Sequence, residues 1–307
     1  MAHGPTIDDV TERSRLFRGR DVTTSLLSGG HMNSAYVVQA GDARYVVRIP
    51  AVSSGLLVPD RANERHNTVT AAASGVSPRV VDYFDDWEVM VLEYVEGETL
   101  TDDTIGKGDR IPRVAGMLRT LHAGPRFRTD FDMYRTAERW LRMCDEREIA
   151  IPQGLRERID RVDLAAQALA VLPMDSVPSH NDLSSGNIID DGQRLWIIDF
   201  EYSGNNDPCY DIADLASQSH LDDDLRAILC EAYFGVADPT QLARMRLHST
   251  IANVGWAVWA SIQLRVSPLE IDFAGIVRWF WDPARAMLDS EDFPRLMHLV
   301  SGGRVSD

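Results

Sequence analysis

The stretch that decides the fold is SHNDLSSGN, at residues 179–187, followed by IIDFE at residues 197–201. Between them, two short apolar runs flank the turn DDGQ at residues 190–193, a pattern that predicts a β-hairpin. On both sides of this segment, apolar residues recur at helical intervals. The sequence therefore predicts a hairpin within a mainly helical region, with a polar loop before it and a carboxylate at its end.

Three polar residues of this stretch have the order that phosphoryl transfer needs. Asp182 and Asn187 lie five positions apart in the loop, and Asp199 ends the returning strand. Phosphoryl transfer requires a carboxylate that orients the attacking hydroxyl, oxygen ligands for Mg²⁺ and positive groups beside the phosphates. Asn187 and Asp199 offer the oxygen ligands that magnesium prefers. A single Asp of this kind is usually a turn or a helix cap, so the signal is the ordered set.

The first hundred residues predict a small antiparallel sheet with one helix. Strand-like runs alternate with turn signals, at residues 35–38, 44–49, 79–83 and 89–94, and the apolar pair at residues 26–27 leads into a turn-rich segment. A helix is predicted over residues 61–74, before Gly75. The chain changes character at EGE, residues 96–98, and helical periodicity dominates from Arg110 onward. We therefore expect an N-terminal lobe of residues 1–95 and a helical C-terminal lobe of residues 96–307.

The stretch at residues 179–201, called the catalytic stretch from here on, resembles the catalytic loop and metal-binding aspartate of protein-kinase-like small-molecule kinases. The longer run DFEYSGNNDPCYDIA, at residues 199–213, is similar to the choline/ethanolamine kinase branch, which sits beside the aminoglycoside phosphotransferases. The resemblance implies an α+β, two-lobed protein-kinase-like fold, with a small N-terminal antiparallel sheet, one helix and a larger, mostly helical lobe. It also implies a nucleotide-binding lobe with ATP as the phosphoryl donor and Mg²⁺ as the cofactor.

The resemblance gives each residue of the catalytic stretch a role. Asp182 would be the catalytic base, in a His-Asn-Asp run that replaces the His-Arg-Asp of protein kinases. Asn187 and Asp199 would be the magnesium ligands. Asp211 would support the catalytic loop.

In the N-terminal lobe, a glycine-rich connection is similar to the nucleotide loop of the family. Its residues Gly29, Gly30 and Asn33 would approach the phosphates through backbone amides and the Asn side chain. Met32 replaces the Thr that is common beside this Asn, so the backbone contacts are the ones expected. Without the rest of the pattern, two glycines between strands would indicate only a turn.

Four further residues complete the implied nucleotide site. Arg48 stands where protein kinases place their phosphate-contacting Lys, and its planar guanidinium suits phosphate. Glu64, on the predicted helix, matches the ion-pair partner of that residue, although taken alone it would be a surface Glu. Glu93 and Val95 belong to a run that resembles the hinge whose backbone meets adenine.

Substrate-binding residues are expected in the C-terminal lobe, where two tryptophans share a helix face. Their spacing fits either a packed core or a pocket wall. The segment resembles the choline kinase motif in which two tryptophans wall the choline pocket, and aromatic faces attract quaternary ammonium groups. The candidates are Trp256, Trp259, Trp279, Gln218 and Glu201. Some family members carry an acidic residue in place of Gln218; the run DDD at residues 222–224 compensates for it or simply begins a helix.

Composition narrows the range of partners. The net charge of −16 argues against a nucleic-acid partner and is compatible with a cationic substrate or simply with solubility. The three cysteines are far apart, so neither a disulfide framework nor a zinc site is expected. No apolar run is long enough to span a bilayer, and the first residues lack a secretory signal pattern, so a cytoplasmic protein without membrane contact is expected.

Three hypotheses about function remain. The first is an ATP-dependent kinase that phosphorylates the hydroxyl of a small, cationic amino alcohol. The second is a related kinase acting on an aminoglycoside, a sugar or another amine or polyol; the aromatic helix disfavours it, because multiply charged aminoglycosides require many carboxylates. The third is a non-catalytic pseudokinase, and the intact set Asp182, Asn187 and Asp199 argues against it.

Overall fold

The computed structural model describes residues 4–27, 33–50, 57 and 60–303. Its N-terminal strands are β1 (Val22–Leu27), β2 (Asn33–Ala40), β3 (Ala43–Pro50), β4 (Val80–Phe84) and β5 (Val89–Glu93). They form one antiparallel sheet in the spatial order β1-β2-β3-β5-β4. Arg48 in β3 pairs with Ala35 on one side and with Met90 on the other. The predicted phosphate-binding arginine therefore lies in the middle of the sheet.

One face of this sheet is covered by the N-terminal segment of the chain. Buried strand residues such as Val38, Val47 and Val91 form a core with Val10 and Phe17. Val10 belongs to α1 (Ile7–Arg13), which starts with a capping box at Thr6. This short helix was not predicted from the sequence, so the N-terminal lobe has two helices among its described residues instead of the single expected one.

The predicted helix of this lobe is α2 (Arg61–Ala73), which begins at the N-cap Asp60. It buries polar side chains, because its inner face meets the segment that follows the hairpin. Asn63 and Asn67 each donate a hydrogen bond from Nδ2 to the carbonyl oxygen of Ser203, at 3.1 and 3.0 Å. These bonds attach α2 to the segment that follows the hairpin.

The remaining helices build the C-terminal lobe. They are α3 (Asp102–Ile105), α4 (Arg110–His122), α5 (Met133–Glu146), α6 (Ile159–Val171), α7 (Pro208–Gln218), α8 (Asp223–Phe234), α9 (Pro239–Val266), α10 (Phe273–Leu288) and α11 (Asp292–Ser301). The long helix α9 packs against α5, α6, α7, α10 and α11. Its middle is buried on all sides, as expected for a helix without a polar face.

Short strands interrupt the helices and carry the catalytic stretch. β6 (Glu98–Thr99) pairs with β8 (Ile188–Asp190), which forms the predicted hairpin with β9 (Leu195–Ile197). β7 (Val177–Ser179) pairs instead with β10 (Gly204–Asn206). The loop after β7 and the segment after β9 are thereby brought side by side.

The predicted combination of a small antiparallel sheet and a larger helical lobe is confirmed. The five-stranded sheet ends at Glu93, and the next strand, β6, pairs with the C-terminal lobe. Within the ranges that the structure describes, no helix has the length and apolar content needed to cross a bilayer.

Candidate active site

A cavity of about 420 Å³ lies between the sheet and the helical lobe. On the side of the sheet it is lined by the predicted nucleotide and metal residues Asn33, Arg48, Asn187 and Asp199. On the side of α7, α9 and α10 it is lined by the predicted substrate residues Glu201, Gln218, Trp256, Trp259 and Trp279. Asp182 lines the same cavity. The fold thus brings together residues that are more than 200 positions apart in the chain.

Asp211, at the start of α7, fixes the catalytic loop. Its Oδ2 accepts a hydrogen bond from the backbone amide of His180 (2.8 Å), and its Oδ1 accepts one from the amide of Asn181 (2.7 Å). The Nε2 atom of His122 lies 3.0 Å from Oδ2. Although burial opposes ionisation, these contacts hold the pKa of Asp211 below its ordinary value. Asp211 therefore makes the supporting contacts that the sequence implies.

Asp182 is placed at the floor of the cavity by this loop. Its Oδ1 accepts a hydrogen bond of 3.1 Å from Nε2 of Gln218. Burial raises the pKa of Asp182 above its ordinary value, while the bond from Gln218 acts in the opposite direction. A half-buried carboxylate with a raised pKa is well suited to orient a hydroxyl and take up its proton.

The two predicted magnesium ligands flank Asp182. Asn187 donates from Nδ2 to the carbonyl oxygen of Asp182 (2.9 Å), which leaves its Oδ1 as the ligand atom. Asp199 has a left-handed backbone, with φ of 69°, and its Oδ1 lies 2.6 Å from Nη2 of Arg48. Strained backbone of this kind is common at functional sites. Both residues offer a side-chain oxygen to the cavity, and this donor set fits Mg²⁺.

Two arginines and three carboxylates, Asp199 among them, form an ion network. Arg48 bridges Asp199 and Glu64, with Nη1 of Arg48 lying 2.7 Å from Oε1 of Glu64. Arg61 contacts Glu64 at 2.6 Å and Glu201 at 3.3 Å. Carboxylate oxygens of Glu64, Asp199 and Glu201 lie within 4.8 Å of one another. When all three carboxylates are ionised, they exceed the two guanidinium groups by one negative charge, which a bound cation would balance.

The excess of negative charge also affects Glu201, which is buried at the edge of this network. Burial, and then the charge of Asp199, raise the pKa of Glu201 to about 8. Asn33 donates from Nδ2 to Oε2 of Glu201 (3.0 Å) and accepts from Arg61 at its Oδ1 (3.0 Å). Asn33 and Glu201 are therefore held in fixed positions at the border between the sheet side and the α9 side of the cavity.

Aromatic side chains form the wall opposite the sheet. Trp256 and Trp259 are 3% and 7% exposed, and both line the cavity, so they are at once core residues and wall residues. Tyr202 lies edge-on to Trp256, with ring centroids 5.0 Å apart, and its hydroxyl accepts from Nε1 of Trp259 (2.9 Å). Trp279 is more exposed and stacks on His220 at the rim of the cavity, with ring centroids 4.9 Å apart.

The predicted adenine-binding residues, Glu93 and Val95, lie at and just after the end of β5. Glu93 ends β5, donates its amide to the carbonyl of Arg79 and pairs its side chain with the Arg79 guanidinium. Glu93 and Val95 are outside the set of described residues that line the cavity, so their predicted contact with adenine stays a prediction. Gly29 and Gly30 lie outside the described residues.

Several residues of the site were not predicted from the sequence. Arg61 and Tyr202 belong to the network and the aromatic wall just described. Asp214, fully buried on α7, accepts hydrogen bonds from Gln218 and Trp256. Burial and the nearby Asp182 raise its pKa well above the ordinary value, although these two bonds oppose that change. The signal in the sequence was the spacing of Asp211, Asp214 and Gln218 at i, i+3 and i+7 on one helix.

The acidic run at residues 222–224 does not reach the cavity. Asp222 is the N-cap of α8, and the next two residues lie in its first turn. The sequence allowed two interpretations of this run, and the structure agrees with the second, the start of a helix.

The chain is similar in sequence to known kinases and to a phosphotransferase family. The model of the phosphotransferase enzyme family matches residues 23–248. Protein LicA of Haemophilus influenzae is 26% identical over 247 residues, covering 76% of this chain and 72% of LicA. Ethanolamine kinase 1 of Mus musculus is 27% identical, covering 83% of this chain and 81% of the mouse protein.

A solved structure extends the match to nearly the whole chain. A choline/ethanolamine kinase family protein from Mesorhizobium loti is 27% identical, with a TM-score of 0.85, over 96% of this chain and 99% of the other. The predicted fold class and the predicted class of enzyme are thus confirmed. The chain belongs to the phosphotransferase enzyme family.

Proposed function

We propose that this phosphotransferase transfers the γ-phosphoryl group of ATP to the hydroxyl of a small, cationic amino alcohol such as choline or ethanolamine. One observation carries the proposal: Asp182, the oxygen ligands and an aromatic wall line a single cavity. The similarity to ethanolamine kinase 1 and to the M. loti protein supports the same acceptor class.

The nucleotide would lie against the sheet, between a lobe of residues 1–95 and a lobe of residues 96–307. Gly29, Gly30, Asn33 and Arg48 would contact its phosphates, and the backbone at Glu93 and Val95 would contact adenine. Arg48, held by Glu64, is already oriented toward Asp199. Asn187 and Asp199 would hold Mg²⁺, which when bound neutralises phosphate charge and aligns the γ-phosphoryl group.

Asp182 would act on the acceptor. Its carboxylate accepts a hydrogen bond from the acceptor hydroxyl and takes the proton as the hydroxyl oxygen bonds to the γ-phosphorus. The bond from that phosphorus to the bridging oxygen of ADP breaks in the same displacement. The bond from Gln218 keeps one carboxylate oxygen engaged, so the other is left to contact the acceptor.

The acceptor end of the cavity favours a compact cation. Trp256, Trp259 and Tyr202 present aromatic surface, which attracts poorly hydrated ammonium groups by about 0.5–2 kcal/mol for each contact. A multiply charged aminoglycoside would instead require many carboxylates, whereas aromatic rings form this wall. A pseudokinase is disfavoured because all three catalytic residues are present and line the same cavity.

An ADP-release screen tests this proposal. The full chain is incubated with MgATP and, in turn, with choline, ethanolamine, thiamine, kanamycin and glucose. We expect ADP release above background with choline or ethanolamine. Release only with kanamycin or glucose would assign a different acceptor class, and ADP release that no acceptor stimulates would contradict the proposed transfer.

A further inference from the structure

Asp214 is a buried carboxylate placed immediately behind the acceptor end of the cavity. It lies on the middle of α7, one turn after Asp211, and it is 0% exposed. A buried carboxylate is costly unless hydrogen bonds compensate for its lost hydration. The hydrogen bonds that compensate for this burial therefore indicate the role of Asp214.

Asp214 contacts three separate parts of the site. Its Oδ1 accepts from Nε1 of Trp256 (3.1 Å), and its Oδ2 accepts from Nε2 of Gln218 (2.9 Å). The same Oδ2 accepts from the backbone amide of Leu183 (2.9 Å), the residue next to Asp182. One carboxylate thus holds an aromatic wall residue, a predicted substrate residue and the catalytic loop.

The side-chain nitrogen of Gln218 connects two carboxylates. Nε2 donates one hydrogen to Asp214 and the other to Oδ1 of Asp182 (3.1 Å). Because an amide nitrogen has only two hydrogens, these bonds fix which way the Gln218 amide points. Gln218 itself is neutral, so the negative charge of this cluster comes from its two aspartates.

The hydrogen bonds favour the ionised form of Asp214. Its two carboxylate oxygens accept hydrogen bonds from three N–H donors, and N–H donors favour the ionised form. Burial and the nearby charge of Asp182 act in the opposite direction and raise the pKa of Asp214, so the effect of its charge is measured at pH 8. The indole of Trp256 is also polarised, because its N–H donates to an anion, and this polarisation makes the ring face more attractive to a cation.

We propose that Asp214 is a specificity-determining residue that makes the acceptor site selective for positively charged alcohols. It does so by placing a buried negative charge behind Trp256 and Gln218 and by fixing both side chains. This inference rests on the proposed function, since it presumes an acceptor that is phosphorylated in this cavity. Asp214 does not line the cavity and acts through the residues that do.

The test uses pairs of acceptors that differ in charge and not in shape. Choline is compared with 3,3-dimethylbutan-1-ol, and ethanolamine with propan-1-ol, at pH 8 with the full chain. The measured quantity is the ratio of kcat/KM for the cation to kcat/KM for its neutral partner. We expect Asp214→Asn to lower this ratio by about tenfold, with KM for ATP unchanged.

Two further variants separate charge from structure. Asp207→Asn is the matched control, because Asp207 is the N-cap of the same helix, with a side chain only 10% exposed, but is paired with Arg244, outside the cavity. It should lower Tm and leave the ratio unchanged. The double variant Asp214→Asn with Gln218→Glu returns one carboxylate to the cluster, so the ratio should recover even where kcat does not.

The outcomes distinguish a failure of this inference from a failure of the proposed function. A wild-type enzyme that shows no preference for the cation contradicts the proposed acceptor class. A wild-type preference that Asp214→Asn leaves intact, or an equal loss for both acceptors, overturns the role of Asp214. If Asp214→Asn does not fold, the double variant decides: a ratio near that of the wild type supports the role, and a lost ratio contradicts it.

Discussion

The two ends of the cavity differ in chemical character. The sheet end is ionic: Arg48 and Arg61 face Glu64, Asp199 and Glu201, with three charged pairs within 2.7 Å. The acceptor end uses aromatic rings, and its buried carboxylate, Asp214, lies one layer behind them. Phosphates and Mg²⁺ are strongly hydrated and require ionic partners, whereas an alkylammonium group is attracted to a dry aromatic surface. Asp182 lies where the two ends meet.

The largest effect is expected at this junction. Asp182→Asn removes the proton acceptor but keeps the shape, so kcat should fall by about 10²–10⁴ while ATP affinity changes no more than a few fold. Steady-state kinetics and a nucleotide-binding titration measure the two quantities. Asp191→Asn is the matched control, because Asp191 caps the turn of the nearby hairpin and should leave kcat unchanged. Turnover like that of the wild type in Asp182→Asn would exclude Asp182 as the base.

A second substitution tests the sheet end alone. Asp199→Ala removes a predicted magnesium ligand, and activity should fall by about 10²–10³ without recovery at high acceptor concentration. ATP binding should become nearly independent of Mg²⁺, measured by titration with and without the metal. If the dependence on Mg²⁺ were unchanged, the ligand assignment would be wrong.

Substitutions at the acceptor end should affect binding of the acceptor and leave binding of ATP unchanged. Trp256→Leu or Trp259→Leu keeps apolar bulk but removes the aromatic face, so KM for the cationic acceptor should rise by about 3–30-fold, while KM for ATP stays the same. Both residues are also buried, so stability should fall by about 1–3 kcal/mol. A lower Tm with an unaltered acceptor KM would mean that these tryptophans serve the core alone.

The smallest effect concerns the pH dependence of Asp182. The bond from Gln218 favours the ionised carboxylate, so Gln218→Leu should raise the pKa of Asp182 further above its ordinary value. A general base works only when ionised, so the acidic limb of the pH–rate profile should move to higher pH. An acidic limb that stays in place or moves to lower pH would show that Gln218 does not tune the base.

The sequence indicated the grouping of Asp182, Asn187 and Asp199 more directly than the contacts of Asp214, for a physical reason. Asp182, Asn187 and Asp199 are close in the chain, and one hairpin brings them together, so their order already encodes their geometry. The contacts of Asp214 join residues 183, 218 and 256, which meet only after α7 and α9 pack. A local sequence pattern does not predict contacts that form only when distant helices pack together.

Burial explains two more differences between expectation and structure. Spacing left open whether Trp256 and Trp259 belong to a core or to a pocket, and the structure shows that they belong to both, because the cavity is cut into the core. The short helix α1 was missed because its seven residues carry a capping box but only one buried apolar side chain, Val10. Tertiary packing onto the sheet, instead of helical periodicity, accounts for its formation.

The central claim is that both ends of the cavity serve one transfer reaction from ATP to a cationic alcohol. The most direct test is ³¹P NMR of the full chain with ATP, Mg²⁺ and choline or ethanolamine. We predict that the γ-phosphate signal is replaced by that of a phosphomonoester of the amino alcohol, formed in equal amount with ADP. Formation of ADP with inorganic phosphate alone, or no loss of ATP with either acceptor, would contradict the claim.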